Sequence, residues 1–136
     1  MRSILLSLAI LCGPVHADAG VAADAVTTGI ALSATGVVET NPIGLATVPI
    51  RLVVIEHAKT LPPEEGTPIL HAINATSWGA AANNLLVLAK ISAAPLVGVL
   101  VTFILWNQGK EEREFAQLCA LHKQIEGKNL TCVYRS

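Results

Sequence analysis

Aromatic residues make up only 4% of the 136-residue chain, and charged residues only 14%. A typical soluble domain carries about 25% charged residues, so this composition fits neither an ordinary water-facing surface nor a charge-rich disordered segment. With a net charge of −1 and no basic stretch interleaved with aromatics, the chain has no nucleic-acid signature. Cysteine is scarce too. Cys12, Cys119 and Cys132 form no Cys-x-x-Cys pair, which excludes zinc-ribbon and thioredoxin-like spacings. There is no His-Glu-x-x-His pair and no Gly-x-Ser-x-Gly elbow, and Ser77 has no placed base. Glu56, His57 and Lys59 gather at an expected helix end, where charged residues are ordinary. The sequence therefore offers no catalytic residues, no metal ligands and no cofactor motif, and the expectation is a protein that is not an enzyme.

What the chain does have is apolar sequence: 52% hydrophobic residues, a mean hydropathy of +0.56, and charges collected at segment ends. Its start, MRSILLSLAILCGPVHA, joins a basic Arg2 to an apolar run, a Gly13-Pro14 break and a small-residue Val15-His16-Ala17 signature. That is the grammar of a secretory signal cut after Ala17. Leu11 stands where a lipid-attachment site at Cys12 resembles a small-residue pattern, which disfavours a lipoprotein; an uncleaved signal anchor is the rival reading.

Four apolar segments follow, each a candidate spanning helix. Segment one runs from about Gly20 to Val38 and ends at Glu39-Thr40-Asn41-Pro42, where Asn-Pro favours a turn. Segment two covers about Ile43 to Ala58, before a polar loop from Leu61 to Pro68. Segment three covers about Ile69 to Ala89, and segment four about Pro95 to Trp106. A span needs roughly 20 apolar residues, so segments two and four fall short unless segment four extends from Ile91 to Gln108 with a kink at Pro95. The expected fold is an all-α, up-down bundle of about four transmembrane helices, in residues 18–109, with both termini outside.

Residues 110–136 form a polar tail. Phe115, Leu118, Cys119, His122 and Ile125 recur at helical spacing, which predicts an amphipathic helix on the membrane surface or on the bundle. Gly127 suits a helix C-cap, after which the chain turns back to bring Cys132 to Cys119. A disulfide there implies an oxidising compartment. Asn74-Ala-Thr76 and Asn129-Leu-Thr131 match glycosylation sequons, which carry no meaning in a bacterium.

Polar residues inside apolar segments are the candidate site. Asp24, Thr28, Thr35 and Glu39 share one face of segment one; Arg51 and Lys59 lie on segment two, and His71, Asn74 and Asn83 on segment three. Ionisable groups in hydrocarbon normally face a protein partner, a cavity or an interface. If segments one and two form a hairpin turning at Asn41-Pro42, residues whose numbers sum to about 83 lie at one depth. That register brings Asp24 level with Lys59 and leaves Glu39 within reach of a stretched Arg51. Asparagine, serine and threonine also act as interhelical glue, and Gly29, Gly36, Gly79 and Gly98 suit close helix contact. The set thus reads either as packing or as a hydrated path lined by Asp24, Glu39, Arg51, His71 and Asn83.

The run Asp24-Ala-Val-Thr27-Thr28, then Gly36, then Glu39-Thr40-Asn41-Pro42, resembles the first helix and turn of an uncharacterised family of small prokaryotic multi-spanning membrane proteins. The likeness covers about twenty residues, and Asn83 or Asn84 matches a polar position in a later helix. The signal and the cysteine-bearing tail depart from that family. The resemblance implies an architecture and lends no activity. The expected function is a non-enzymatic accessory or interaction protein of the bacterial inner membrane, in contact with lipid and with a protein partner or further copies of itself. The alternative is a small channel, holin-like pore or transporter subunit using the Asp24/Glu39 face.

Overall fold

The computed structural model describes residues 17–34, 46–127 and 131–132. Every regular element among them is a helix: α1 (Ala17–Ser33), α2 (Val48–Thr60), α3 (Pro63–Leu88), α4 (Ala94–Gln108) and α5 (Lys110–Glu126). The all-α expectation holds.

α3 is the axle, because it packs against each of the other four helices. It starts earlier than the sequence suggests, at Pro63 within the expected loop. Proline is favoured in a first helical turn, where its missing N–H costs nothing, and Glu64 and Glu65 complement the positive end of the helix dipole. α3 ends at Lys90, whose φ of 58° is left-handed. There the Ile91 N–H bonds to the Leu86 carbonyl and the Lys90 N–H to the Val87 carbonyl, the reciprocal pair that closes a helix at a residue usually glycine. Residues 91–93 then turn, and α4 starts with Pro95 in its first turn, so the expected kinked extension back to Ile91 does not form.

Helix directions alternate from α1 to α4. α1 runs antiparallel to α2, with Asp24 opposite Arg51 and Asp18 opposite Lys59, so paired numbers sum to near 76 rather than 83. This corrects the expected register by about seven residues, or two helical turns. Among the described residues the ion pairs of Asp24 with Arg51 and of Asp18 with Lys59 fix the relative depth of α1 and α2; the turn expected at Asn41-Pro42 lies outside the described residues. Ala17, Val21 and Ile55 form the packed centre of α1, α2 and α3, with Val48, Leu70 and Ile73 against it.

α4 and α5 follow one another along α3, joined at Gly109 and both antiparallel to it. Gly79 of α3 approaches Gly98 and Thr102 of α4 so closely that a Cβ would collide with the Thr102 hydroxyl. Further along, a Cβ on Gly109 would enter the His71 ring. The tail helix therefore lies on the bundle, with the expected stripe divided: Cys119 is buried and Phe115 half-buried, beside the buried Ala116, while Leu118, His122 and Ile125 are exposed, as is Leu121. Gly127, at φ 104°, caps α5 as its composition predicts, and Cys119 and Cys132 form a disulfide with Cα atoms 6.0 Å apart.

No helix among the described residues is long and apolar enough to cross a membrane. α4 is apolar throughout, but its 15 residues reach only about 22 Å. α3 has the length and carries His71, Asn74, Asn83 and Asn84 along it.

Candidate functional site

A few polar side chains lie within the mostly apolar interior of this bundle, and the most connected of them is Asp24. Only 5% of Asp24 is exposed, and its Oδ2 accepts from Arg51 Nη1 at 2.6 Å. Its Oδ1 accepts from Asn84 Nδ2 of α3 at 3.2 Å, and the same amide donates to the Thr28 hydroxyl at 2.9 Å. Arg51 in turn donates from Nη2 to the Thr47 hydroxyl at 2.9 Å. Three helices are thus tied through one carboxylate. A buried charge is tolerated when it is paired and its remaining lone pairs are satisfied, and both conditions hold here. Thr27, also buried, turns its hydroxyl back to the carbonyls of Ala23 and Asp24.

Asp24 does not meet Lys59. Lys59 lies at the other end of α2, exposed, with Nζ 2.9 Å from Asp18 and 2.8 Å from Glu56. Those two carboxylates, Asp18 first, raise its pKa above the usual lysine value. Glu39 and Asn41 lie outside the described residues, as does Thr35, so the reach from Arg51 to Glu39 is not described. Asn74 and Asn83 both carry a buried Oδ1 without a hydrogen-bond partner among the described residues.

A second polar contact joins α3 to α5. His71 is 5% exposed, and its Nε2 lies 2.7 Å from Glu112 Oε2. Two turns towards the start of α3, Glu64 accepts from Lys123 Nζ at 2.6 Å. Lys123 holds the Glu64 carboxyl below the ordinary glutamate value, against the opposing effect of burial. Cys119 Sγ stands 3.7 Å from the other Glu64 oxygen, so the disulfide is seated on the same anchor. Arg113 stacks its guanidinium 3.5 Å from the centroid of Trp106 and donates to the Trp106 carbonyl. Burial draws the Arg113 pKa down from its ordinary value, with Glu114 opposing.

Sequence reasoning found Asp24, Thr28, Arg51 and His71 as polar residues in apolar surroundings, and the structure brings the first three together. It missed Thr47, Glu112 and the Glu64–Lys123 pair. Thr47 lies inside the second apolar segment, Glu64 in the expected loop, and Glu112 and Lys123 in the polar tail; only the antiparallel fit of α3 against α5 aligns the last three. Asn83 and Asn84, adjacent in sequence, face opposite ways: Asn84 to α1 and Asn83 to α4. Among the described residues, no group of three or more His, Cys, Asp or Glu is placed to hold a metal ion.

The sequence matches no family model, no curated protein and no solved structure.

Proposed function

We propose that this chain is a small, non-enzymatic accessory protein of a bacterial inner membrane, delivered by its N-terminal signal, with the α5 tail on the periplasmic side as its docking element. The carrying observation is a broad exposed apolar surface, found together with a few buried polar side chains in a mostly apolar interior. Asp24, Thr27, His71 and Ser77 are buried, whereas Leu96 is 75% and Val99 69% exposed, with Leu100, Phe103 and Ile104 beside them. A helix apolar on every side belongs in a core or in hydrocarbon, and α4 buries only one side. An exposed patch of this kind marks a membrane or protein contact. Lipid around α4 and the outer faces of α1 and α2 would cover Val26, Ile30, Ile50 and Val53 as well. Short helices are accommodated by local thinning of the bilayer.

The tail supports the second half of the reading. Its disulfide belongs to an oxidising compartment, and its exposed Leu118, Leu121 and Ile125 make an apolar strip for a partner. A channel role for the Asp24 face finds less support, because the carboxylate is held by Arg51 and Asn84 rather than open to solvent.

Alkaline carbonate extraction of cells expressing the full chain tests the residence. The protein stays with the membrane pellet under this reading, and release into the supernatant would remove it. Cross-linked partners that persist unchanged in a Leu121→Glu, Ile125→Glu variant would remove the docking role.

A further inference from the structure

Between α3 and α4 lies an open groove of about 610 Å³, lined by Ala80, Asn83, Pro95, Val99, Phe103 and Trp106 among others. That volume is within the range of roughly 300–1,000 Å³ usual for small-molecule sites. From the level of Pro95 to that of Trp106 it follows α4 for about 16 Å, the scale of an acyl chain. Its surface is almost wholly apolar. The buried Asn83 Oδ1 is turned beneath it, and the Thr102 hydroxyl is spent on the Gly98 carbonyl at 3.0 Å. The close approach of Gly79 and Gly98 holds the floor rigid.

No charged side chain lines the groove itself. The Trp106 indole that walls one end also carries the stacked guanidinium of Arg113. Among the described residues no carboxylate lies within salt-bridge distance of it, while Lys110, Lys59 and Lys123 each have one. Arg113 still has donors beyond the one given to the Trp106 carbonyl. At the Pro95 end no charged side chain lines the wall.

We propose that this groove is a binding site for one acyl chain of an anionic phospholipid, whose phosphate meets Arg113 beside Trp106. The site deepens the membrane residence proposed above and rests on it. A guanidinium presents forked donors suited to phosphate, and Trp at the headgroup level is the usual interfacial arrangement. The groove selects the lipid by charge at one end and by length along the wall.

The test uses the full chain in a maltoside detergent with Trp78→Phe, which leaves Trp106 as the sole tryptophan. Brominated phosphatidylglycerol and brominated phosphatidylcholine are titrated in turn, and quenching of Trp106 emission is read. Phosphatidylglycerol quenches at about fivefold lower mole fraction, the scale of one basic residue's attraction to anionic lipid. Arg113→Gln removes the preference while leaving chain quenching, and Ala80→Phe, which fills the groove, removes saturable quenching by both lipids. Equal quenching by both lipids in the parent chain overturns the proposal, as does saturable quenching that survives Ala80→Phe. Trp106 shielded from both lipids in a cross-linkable dimer assigns the groove to a second copy instead. Because detergent replaces the bilayer, loss of the site here with retention in the carbonate pellet sinks the groove alone. Binding here with release from the pellet sinks the residence alone.

Discussion

Arg51 of α2 places its Nη1 2.6 Å from the Asp24 carboxylate of α1, and the pair is asymmetric: 7% of the Asp24 side chain is exposed, against 27% of Arg51. The aspartate cannot return to water without α1 leaving the bundle, whereas the arginine can. Removing Arg51 strands a buried charge; removing Asp24 frees a cation that reaches solvent. Arg51→Met should therefore cost more than Asp24→Asn, about 3 kcal/mol against about 1 kcal/mol. The double variant should cost less than the sum. Denaturant unfolding in detergent, arranged as a double-mutant cycle, measures this, and additive losses would show that the pair is not coupled.

Gly109 is predicted to be irreplaceable for as long as His71 stays. A methyl there enters the imidazole, which is buried and contacts Glu112, so the ring has nowhere to go. Gly109→Ala should cost about 1–3 kcal/mol, the usual scale for an overpacked site. Combining it with His71→Ala should restore part of that loss. Thermal unfolding of the four species gives the answer.

Acid should loosen the tail. Lys123 lowers the Glu64 pKa in the folded chain, so the pair stabilises at pH above the ordinary glutamate value of about 4.5 and is lost as pH falls through the folded value. Amide exchange in α5 should accelerate over that acid range. Lys123→Met should remove the acceleration and Lys123→Arg keep it; a pH response unchanged by Lys123→Met would place its origin elsewhere.

The turn at Lys90 offers a stabilising change. Its left-handed φ suits glycine, and a side chain there costs about 1–2 kcal/mol. Lys90→Gly should gain about 0.5 kcal/mol net, after the loss of a favourable cation at a helix C-terminus. Lys90→Ala keeps the strained backbone and loses the charge, so it should destabilise slightly. Opposite shifts in Tm distinguish the two.

Helix content, the Gly127 cap and the Cys119–Cys132 bridge were legible because each rests on local chemistry: periodicity, a residue free to adopt positive φ, and a pair of thiols a short loop apart. The partner of Asp24 was not. Its identity depends on the depth of α2 beside α1, which the packing and ion pairs of the two helices decide and which cannot be read from the periodicity of either. The start of α3 was missed for a different reason, since Leu61 to Pro68 holds three prolines and reads as a loop. Pro63 nonetheless opens the helix, and Pro68 is carried inside it. The divided α5 stripe shows how periodicity identifies a helix without saying which of its residues are covered. Here Glu64 and His71 of α3 hold Lys123 and Glu112 of α5, which covers Ala116 and Cys119 and leaves Leu118 and Ile125 exposed.

The axle helix divides its labour along its length. The first half of α3 holds α5 through Glu64 and His71, and the second half holds α4 through Gly79 and α1 through Asn84. α4 and α5 meet at Gly109 and where Arg113 stacks on Trp106. The molecule therefore has a seam: separating α5, its disulfide included, from the bundle would break the contacts of Glu64, His71 and Trp106 and leave the ties among Asp24, Arg51 and Asn84 intact.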